Sequence, residues 1–227
     1  MQRSVWMLLK QGGMVFEKDL RLEFRTRYAL NAIAMFAVIT LTAVSFSIGP
    51  TKLSPEVLAP LFWIILFFAA MAGLSHVFVR EEEQQTADTL RLVLPPNAVL
   101  IGKWLFNVVL LFGLELIIVP LYMLMMSAVP KSGTVFFTIL ILGSLALSSV
   151  ATIIAAIIAL ASSRGALFAV VAFPIALPVL IPAINGTKLA YEGGLFADSY
   201  SDVQVLFSFT IVIITASVLL FEFIWNK

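Results

Sequence analysis

The sequence contains no cysteine and only one histidine among its 227 residues. The absence of cysteine excludes disulfides, thiolate metal sites, covalent haem attachment through Cys-x-x-Cys-His and a cysteine nucleophile. A single histidine cannot form a cluster of histidine ligands, so we predict no metal centre. The chain also lacks a Gly-x-x-x-x-Gly-Lys-Ser/Thr phosphate loop, a His-Glu-x-x-His motif and a Gly-x-Ser-x-Gly motif. We therefore predict that it is not an enzyme and does not hydrolyse ATP on its own.

Charged residues are also scarce, at 12% of the sequence, whereas hydrophobic residues make up 61% and the mean hydropathy is +1.07. About 20 apolar helical residues cross a bilayer core, and six segments of the chain meet that length. We predict an all-α polytopic membrane protein embedded in the lipid bilayer, with one domain over 1–227 in which 1–28 precede a six-span bundle at 29–225. The predicted spans are Ala29–Ile48, Leu58–Val79, Val99–Ala128, Thr134–Ala161, Ala166–Ile184 and Val203–Trp225.

Two other folds fit this pattern poorly. A soluble helical bundle needs a polar face toward water, and the long segments leave none. The strands of a transmembrane β-barrel alternate apolar and polar residues over about ten positions. The stretch Thr152–Ala161 is instead apolar on every side, which favours a membrane-spanning helix.

The lysines and arginines are distributed unevenly between the two sides of the predicted spans. Eleven of the 14 fall on the side that carries both termini, and only Lys52, Lys131 and Lys188 fall on the other. Because basic residues accumulate in cytoplasmic segments, we predict that both termini are cytoplasmic. The net charge of +1 and the acids beside the basic residues indicate no nucleic-acid partner.

The segment ahead of the first span has the pattern of an amphipathic helix. Phe16, Leu20 and Phe24 recur every four residues, and charged residues occupy the other faces. Such a helix lies along the membrane interface, and Gly12-Gly13 separates it from a shorter apolar patch at 5–9. The pattern is compatible both with a topogenic anchor and with a specific docking role.

A polar segment, 80–96, joins the second and third predicted spans on the cytoplasmic side. It begins with three glutamates, continues with apolar residues on one helical face, and ends at Pro95-Pro96, which stop a helix. Acids favour the start of a helix because of the helix dipole. We therefore predict a short acidic helix over Glu81–Leu94 that a cytoplasmic partner can push. The alternative is a solvated loop that its glutamates keep hydrated.

Glu115 is an ionisable residue deep inside the third predicted span. It follows Lys103 by twelve residues, which is about 18 Å along a helix. Ionisable groups at this depth tend to face a cavity or a partner, so Glu115 is a candidate for a translocation path or a dimer seam. The alternative is a protonated, hydrogen-bonded glutamic acid packed within the bundle.

The single histidine, His76, lies near the cytoplasmic end of the second predicted span. Neutral imidazole can bind haem iron, which makes His76 a candidate haem ligand. A lone histidine at a helix end is more often a boundary residue, and no tryptophan-rich haem-handling motif accompanies it.

The fifth predicted span contains Pro174, Pro178 and Pro182 at four-residue spacing. This spacing places three helix-breaking positions on one face and predicts a kinked or locally unwound segment. Such a segment suits a translocation helix that must bend, and it suits a static kink equally well.

Six short motifs stand in order along nearly the whole chain. They are Lys18-Asp-Leu-Arg-Leu-Glu23, Phe46-Ser-Ile-Gly-Pro50, Leu58-Ala-Pro-Leu-Phe-Trp63, Glu81-Glu-Glu with Thr86 and Leu90-Arg-Leu, Gly102-Lys103 with Asn107, and Phe173-Pro-Ile-Ala-Leu-Pro-Val-Leu-Ile-Pro182. With the six spans, this order resembles the permease subunits of ABC-2-type exporters and, more narrowly, the CcmB family of haem exporter B subunits. The family often has glycine before the threonine of the acidic motif. This chain has Gln85-Thr86, so we expect the loop to turn differently there.

In ABC-2 exporters the acidic helix contacts the ATPase subunit, so the resemblance implies that the segment between spans two and three couples this chain to a separate ATPase. The coupling residues that it implies are Glu81, Glu82, Glu83, Thr86 and Leu90. The implied function is to couple ATP hydrolysis to haem export, or to the release of haem-loaded chaperone, during cytochrome c maturation.

The resemblance further implies a multi-pass subunit of the bacterial-type cytoplasmic (inner) membrane, present in two copies. ATP is then bound by a CcmA-like ABC ATPase subunit and haem is handled by the complex, so the chain needs no cofactor of its own. The other implied partners are a CcmC-like haem-handling membrane protein, a CcmD-like small membrane subunit and a CcmE-like haem chaperone.

Two alternative functions stay open at the level of the sequence. One is an ABC-2-type permease for another cargo, such as a lipid, a glycan or a drug. The other is an ATPase-independent secondary transporter or an assembly scaffold. Secondary transporters often have paired broken helices in inverted halves, and the sequence shows a proline-rich break only in the fifth span.

Overall fold

The computed structural model describes residues 2–49, 51–159 and 164–225. Within these ranges every regular element is a helix, and six helices are long and apolar enough to cross a membrane. The predicted all-α fold with six transmembrane helices is therefore confirmed. The helices are α1 (Gln2–Thr26), α2 (Tyr28–Ile48), α3 (Pro55–Leu74), α4 (His76–Glu83), α5 (Ala87–Val93), α6 (Pro96–Met125), α7 (Gly133–Ala159), α8 (Arg164–Glu192) and α9 (Tyr200–Trp225), with a 3₁₀ turn at Phe196–Ser199 before α9.

The helices reach beyond several of the predicted spans. α3 and α4 form one long span, because Ser75 between them keeps helical backbone angles of φ −62° and ψ −27°. α8 continues to Glu192, well past the predicted end at Ile184. The predicted end of the fourth span, Ala161, lies outside the described residues.

The helices define two ends of a bundle. α1, the turn between α4 and α5, and the last turn of α9 meet at one end, which we call the near end. At the opposite, far end, Lys188 of α8 lies 3.2 Å from Glu56 at the start of α3. α7 is buried along most of its length and contacts α3, α4, α6, α8 and α9, whereas α2 and α9 leave most of their apolar surface exposed. α7 is therefore the central helix, and α2 and α9 lie where lipid can cover them.

Small residues on the central helix allow close packing. A Cβ at Gly143 of α7 would lie 2.3 Å from the ring of Trp63 in α3. The indole Nε1 of Trp63 donates a hydrogen bond of 2.8 Å to Thr187 Oγ1 in α8. Since glycine lets helices approach closely in a membrane, these contacts hold α3, α7 and α8 together.

α1 is one continuous helix that packs against α6. Its backbone stays helical through Gly12-Gly13, so the predicted separation of two segments at these glycines is wrong. Gly12 instead faces Gly102 of α6, where an added Cβ would lie 2.6 Å from the Gly12 carbonyl oxygen. α1 ends because Arg27 adopts a left-handed conformation with φ 52°, and α2 begins directly after it.

The amphipathic helix is confirmed, and its most deeply buried face is one that the sequence did not single out. Val15, Asp19 and Glu23 are buried there. Of the predicted apolar face, Phe16 and Leu20 are partly buried against the core, whereas Phe24 is 63% exposed. The two acids can be buried because basic side chains of α4 and α6 compensate them. The placement of α1 at a membrane interface stays a prediction.

The segment between spans two and three consists of two helices with a turn between them. Glu81, Glu82 and Glu83 end α4, and α5 begins only at Ala87. The predicted single helix over Glu81–Leu94 is therefore wrong. The reason is Gln85, whose φ of 56° interrupts the right-handed helix.

α8 runs through Pro174, Pro178 and Pro182 without interruption. The local unwinding that these prolines predicted does not occur, and a functional role of the three prolines stays a prediction. Each proline lacks an N–H, so the carbonyl group four residues earlier loses its hydrogen bond within the helix.

Candidate functional site

A buried lysine organises the near end. Lys103, in the second turn of α6, is 1% exposed. Its Nζ lies 2.6 Å from Glu81 Oε1 of α4 and 2.9 Å from Asp19 Oδ2 of α1. The close approach of α1 at Gly102 brings Asp19 within reach of the adjacent lysine. One ammonium group therefore joins three helices.

Two further side chains complete this cluster. Lys18 of α1 donates a hydrogen bond to Glu81 and lies 3.1 Å from Asp19. Thr86 Oγ1, in the turn before α5, donates a hydrogen bond of 2.5 Å to Glu81 Oε2. Burying a charge is costly unless it is paired and hydrogen-bonded. Two lysines and two carboxylates balance each other here, and we call Lys18, Asp19, Glu81, Thr86 and Lys103 the ion network.

The ion network also affects the titration of its outermost lysine. Burial alone would lower the pKa of Lys18, but the negative charge of Asp19 and the hydrogen bond to Glu81 outweigh this effect and raise the pKa above its ordinary value. Lys18 therefore stays protonated at every physiological pH, and its side chain remains a hydrogen-bond donor to Glu81.

A second acid of α1 fixes the junction with α2. Glu23 Oε1 accepts a hydrogen bond of 2.9 Å from the backbone N–H of Leu30, in the first turn of α2. Its Oε2 lies 3.9 Å from Arg80, which also donates to Thr26 Oγ1 at 3.3 Å. First-turn N–H groups have no partner within their own helix. Glu23 therefore caps α2 and holds α1 at a fixed angle to it.

A cavity of about 410 Å³ lies beside the ion network. Its wall combines residues of α1, α4 and α6, including Asp19, Glu23, His76, Arg80 and Lys103. His76 thus lies close to the charged groups of the near end. A role for His76 as a haem ligand stays a prediction.

The structure separates the predicted coupling residues into inner and outer groups. Glu81 is 4% exposed and turned into the ion network, so it is not available for a direct contact with a partner. Glu82 is half-buried and paired with Arg91, and Leu90 is half-buried against the core. Glu83 and Thr86 are exposed at the turn.

Two apolar residues of α5 are exposed. Leu92 is 88% exposed and Val93 is 69% exposed. The helical pattern of the sequence places Val93 on one face with Leu90 and Leu94, and it did not single out Leu92. Because α5 is only seven residues long, a periodicity over two turns did not define which side would pack.

The buried partners Asp19 and Lys103 were also missed as site residues. Lys103 lies inside the predicted third span, which begins at Val99, and a charge within a span is costly unless it is paired. The position of Lys103 within a span therefore indicated that an acidic side chain lies close to it in the folded protein. The sequence alone did not show which of the acids on α1 or α4 would meet it.

The intramembrane candidate Glu115 lies apart from the near end. It faces α7, is 4% exposed, and accepts a hydrogen bond from the hydroxyl of Ser144. The structure brings Glu115 together with Ser144 and with no member of the ion network. Its role in a translocation path stays a prediction.

These features define a polytopic α-helical membrane protein whose N-terminal helix and inter-span segment are joined to the third span by a buried ion network. Three of the six motifs that carried the family resemblance meet in this network. Residues 11–223 match the family described as CcmB protein, and the chain therefore belongs to the CcmB family.

Two curated proteins are similar to most of the chain. Heme exporter protein B of Pseudomonas aeruginosa is 26% identical over 188 residues, covering 80% of this chain and 82% of that protein. Heme exporter protein B of Rhodobacter capsulatus is 27% identical over 183 residues, covering 79% of this chain and 83% of that protein. The predicted family is thereby confirmed.

Proposed function

We propose that this chain is the membrane permease subunit of a haem-exporting ABC transporter, and that it couples ATP hydrolysis in a separate ATPase subunit to haem export or to the release of haem-loaded chaperone in cytochrome c maturation. The observation that carries the proposal is the similarity, over 80% of the chain, to a protein named heme exporter protein B. Six membrane-spanning helices support the role of a permease.

The near end faces the cytoplasm in this proposal. Most of the basic residues lie at this end of the spans, which supports a cytoplasmic position in a bacterial inner membrane. The far end, with Lys52, Lys131 and Lys188, then faces outward. A cytoplasmic ATPase has access to the near end alone.

The ATPase contacts the surface formed by the turn and α5. Leu92 and Val93 are exposed apolar residues of α5, and the polar residues Glu83 and Thr86 are exposed at the turn that precedes it. A packed apolar contact of this kind supplies binding free energy, and the acid supplies orientation.

The ion network transmits movement of this surface into the membrane. Glu81 lies in the last turn of the second span, and its carboxylate is 2.6 Å from Lys103 Nζ of the third span. Because both groups are buried and charged, separating them is costly. A push on the turn therefore displaces α4, α6 and α1 together rather than the turn alone.

The assembly contains two copies of this chain and a CcmA-like ATPase that binds ATP. A CcmC-like membrane protein, a CcmD-like small subunit and a CcmE-like chaperone handle haem with it. Support for this composition comes from the family and from the single set of six spans among the described residues.

A pull-down from native membranes in mild detergent tests the proposal. We expect the tagged chain to recover an ABC ATPase and haem-handling proteins, identified by mass spectrometry, together with a haem absorbance band. Recovery of an ATPase with unrelated partners would assign another cargo. Recovery of no ATPase would refute the coupling role.

A matched pair of variants locates the ATPase contact. Leu92→Asp places a charge on the proposed surface, and we expect it to reduce ATPase recovery at least tenfold, which is about 1.4 kcal/mol. Val129→Asp is the control, because Val129 is 71% exposed at the far end. Equal ATPase recovery with both variants would remove α5 from the interface.

A further inference from the structure

Arg91 of α5 binds the last turn of α9. Its Nε donates a hydrogen bond of 2.9 Å to the carbonyl oxygen of Trp225, and its guanidinium lies 5.0 Å from the centre of the Trp225 ring. The other two nitrogens donate to Asp88 at 2.7 Å and to Glu82 at 2.8 Å. A single side chain thus connects α4, α5 and the end of the sixth span.

The chemistry of a helix end explains why this contact is strong. The last four carbonyl groups of a helix have no partner within the helix, and a positive charge is favourable beside them. α9 has no basic residue in its own last turn. Arg91 supplies both the donor and the charge from another helix. Its planar fork spreads donors on three nitrogens toward three separate acceptors, whereas the three donors of a lysine share one nitrogen.

Aromatic packing provides a second connection at the same place. Phe78 of α4 lies 5.5 Å from Phe221 and 5.9 Å from Trp225, measured between ring centres. Phe221 and Trp225 stack at 5.4 Å, and all three side chains are buried. Lys103 Nζ lies 5.8 Å from the Phe78 ring on the side of the ion network. The end of α9 therefore packs against the same unit that contains the ion network.

We infer that Arg91 is a positioning residue that makes α5 and the last turn of α9 move as one body, so that a displacement of α5 reaches the sixth span as well as the third. This inference rests on the proposed function for the source of the displacement. α9 packs against α7 and α8 on one face and leaves most of its remaining apolar surface exposed.

Hydrogen exchange of the chain alone, in lipid nanodiscs, tests the connection without the ATPase. Arg91→Ala should raise the exchange rate of the amides at 222–225 on the order of tenfold, since it removes a charge-assisted hydrogen bond and a ring contact. Arg91→Lys should recover only part of the protection. Arg21→Ala, which removes an exposed arginine of α1, is the control. Unchanged exchange at 222–225 in Arg91→Ala would overturn the inference.

Distances in the assembled complex test the movement itself. The absence of cysteine allows spin labels at unique introduced positions, with Thr134 at the far end as a common reference for labels at Thr89 of α5 and Glu222 of α9. We expect nucleotide binding to shift both distances in the same direction. Arg91→Ala should keep the Thr89 shift and ATPase recovery, and should lose at least half of the Glu222 shift.

The two proposals fail in different ways in this experiment. A Glu222 shift that is absent, or that is unaffected by Arg91→Ala, overturns this inference while the Thr89 shift upholds the coupling role. A Thr89 distance that does not respond to nucleotide overturns the coupling role and this inference together.

Discussion

Lys103 is the side chain on which the near end depends most. It is the partner of two carboxylates from two other helices, and it has almost no contact with solvent. A buried ion pair is weak evidence for net stability, but loss of Lys103 leaves two buried carboxylates with only the partly exposed Lys18 to compensate them. The contribution of the ion network to stability is therefore best measured by removing one of its charged side chains.

Lys103→Met should lower the free energy of unfolding by about 3–5 kcal/mol, because it leaves Asp19 and Glu81 as neighbouring buried carboxylates. The measurement is unfolding in mixed detergent and SDS micelles. Neutralising the acids in the triple variant with Asp19→Asn and Glu81→Gln should restore part of the loss. Lys131→Met, at an exposed far-end position, serves as control. If Lys103→Met alone were as stable as the wild type, the stabilising role of Lys103 in the ion network would be contradicted.

Gln85 adopts a conformation that favours glycine, with φ 56°. The sequence led us to expect a turn different from that of family members with glycine before the threonine, and this comparison stays a prediction. In this chain the glutamine adopts a left-handed conformation. The left-handed backbone conformation destabilises a residue that has a Cβ by about 1 kcal/mol or more. The local geometry is thus imposed by the contacts of Thr86 and Glu81 on either side of the turn.

Gln85→Gly should therefore raise the free energy of unfolding by about 1 kcal/mol, since it relieves the left-handed conformation. Gln84→Gly is the matched control, because Gln84 has φ −86° and gains nothing from glycine. It should lose about 0.5–1 kcal/mol through the added freedom of the unfolded chain. Both values come from the same unfolding titration, and equal changes in the two variants would argue against a strained turn.

At the scale of helices, the sequence predicted which segments are helical better than it predicted which faces of those helices pack together. The six spans could be read from the length of apolar runs, because lipid imposes that length on every span. The contact face of α1 could not, because Val15, Asp19 and Glu23 become a packing face only when Lys103 and Arg80 lie opposite. The periodicity of a sequence describes the faces of a single helix. Whether an acid on that helix can be buried depends also on the basic residues of the helix that packs against it.

Gly102→Val tests the packing of α1 on α6. A Cβ at this position would lie 2.6 Å from both the Gly12 carbonyl oxygen and Val15 Cβ, so α1 must shift, at a cost of about 1–3 kcal/mol. The readout is maleimide labelling of a cysteine introduced at Val15, which is 2% exposed. We expect labelling to become faster on the order of tenfold.

Gly113→Val is the control for this experiment, because it makes the same change in the same helix at a position with open space around it. It should leave the labelling rate of the Val15 cysteine unchanged. Equal rates in both variants would show that α1 does not rest on Gly102.

At the scale of the whole molecule, the bundle has two chemically different ends. The near end buries a network of charges, whereas the far end carries exposed pairs such as Lys188 with Glu56. The sequence predicted the asymmetry of basic residues. It did not predict that part of this charge would be enclosed, because enclosure depends on three helices that are distant in sequence.

The proposed orientation has a direct test. A membrane-impermeant maleimide added to intact spheroplasts should label a cysteine at Val129, at the far end, and should label a cysteine at Thr89 only after lysis. Both positions are exposed, so access to the reagent depends on the side of the membrane. The reverse pattern would invert the proposed topology and remove α5 from the reach of a cytoplasmic ATPase.

The ion network also sets an order of events during synthesis. Glu81 follows Lys18 by 63 residues, and Lys103 follows Glu81 by a further 22. A ribosome adds about 5–20 residues per second, so the acids of α1 wait several seconds for their partners. Glu23 must stay hydrated until Arg80 of the second span is made, and Asp19 lacks Lys103 until the third span emerges. The first helix to be made is therefore among the last to reach its final place.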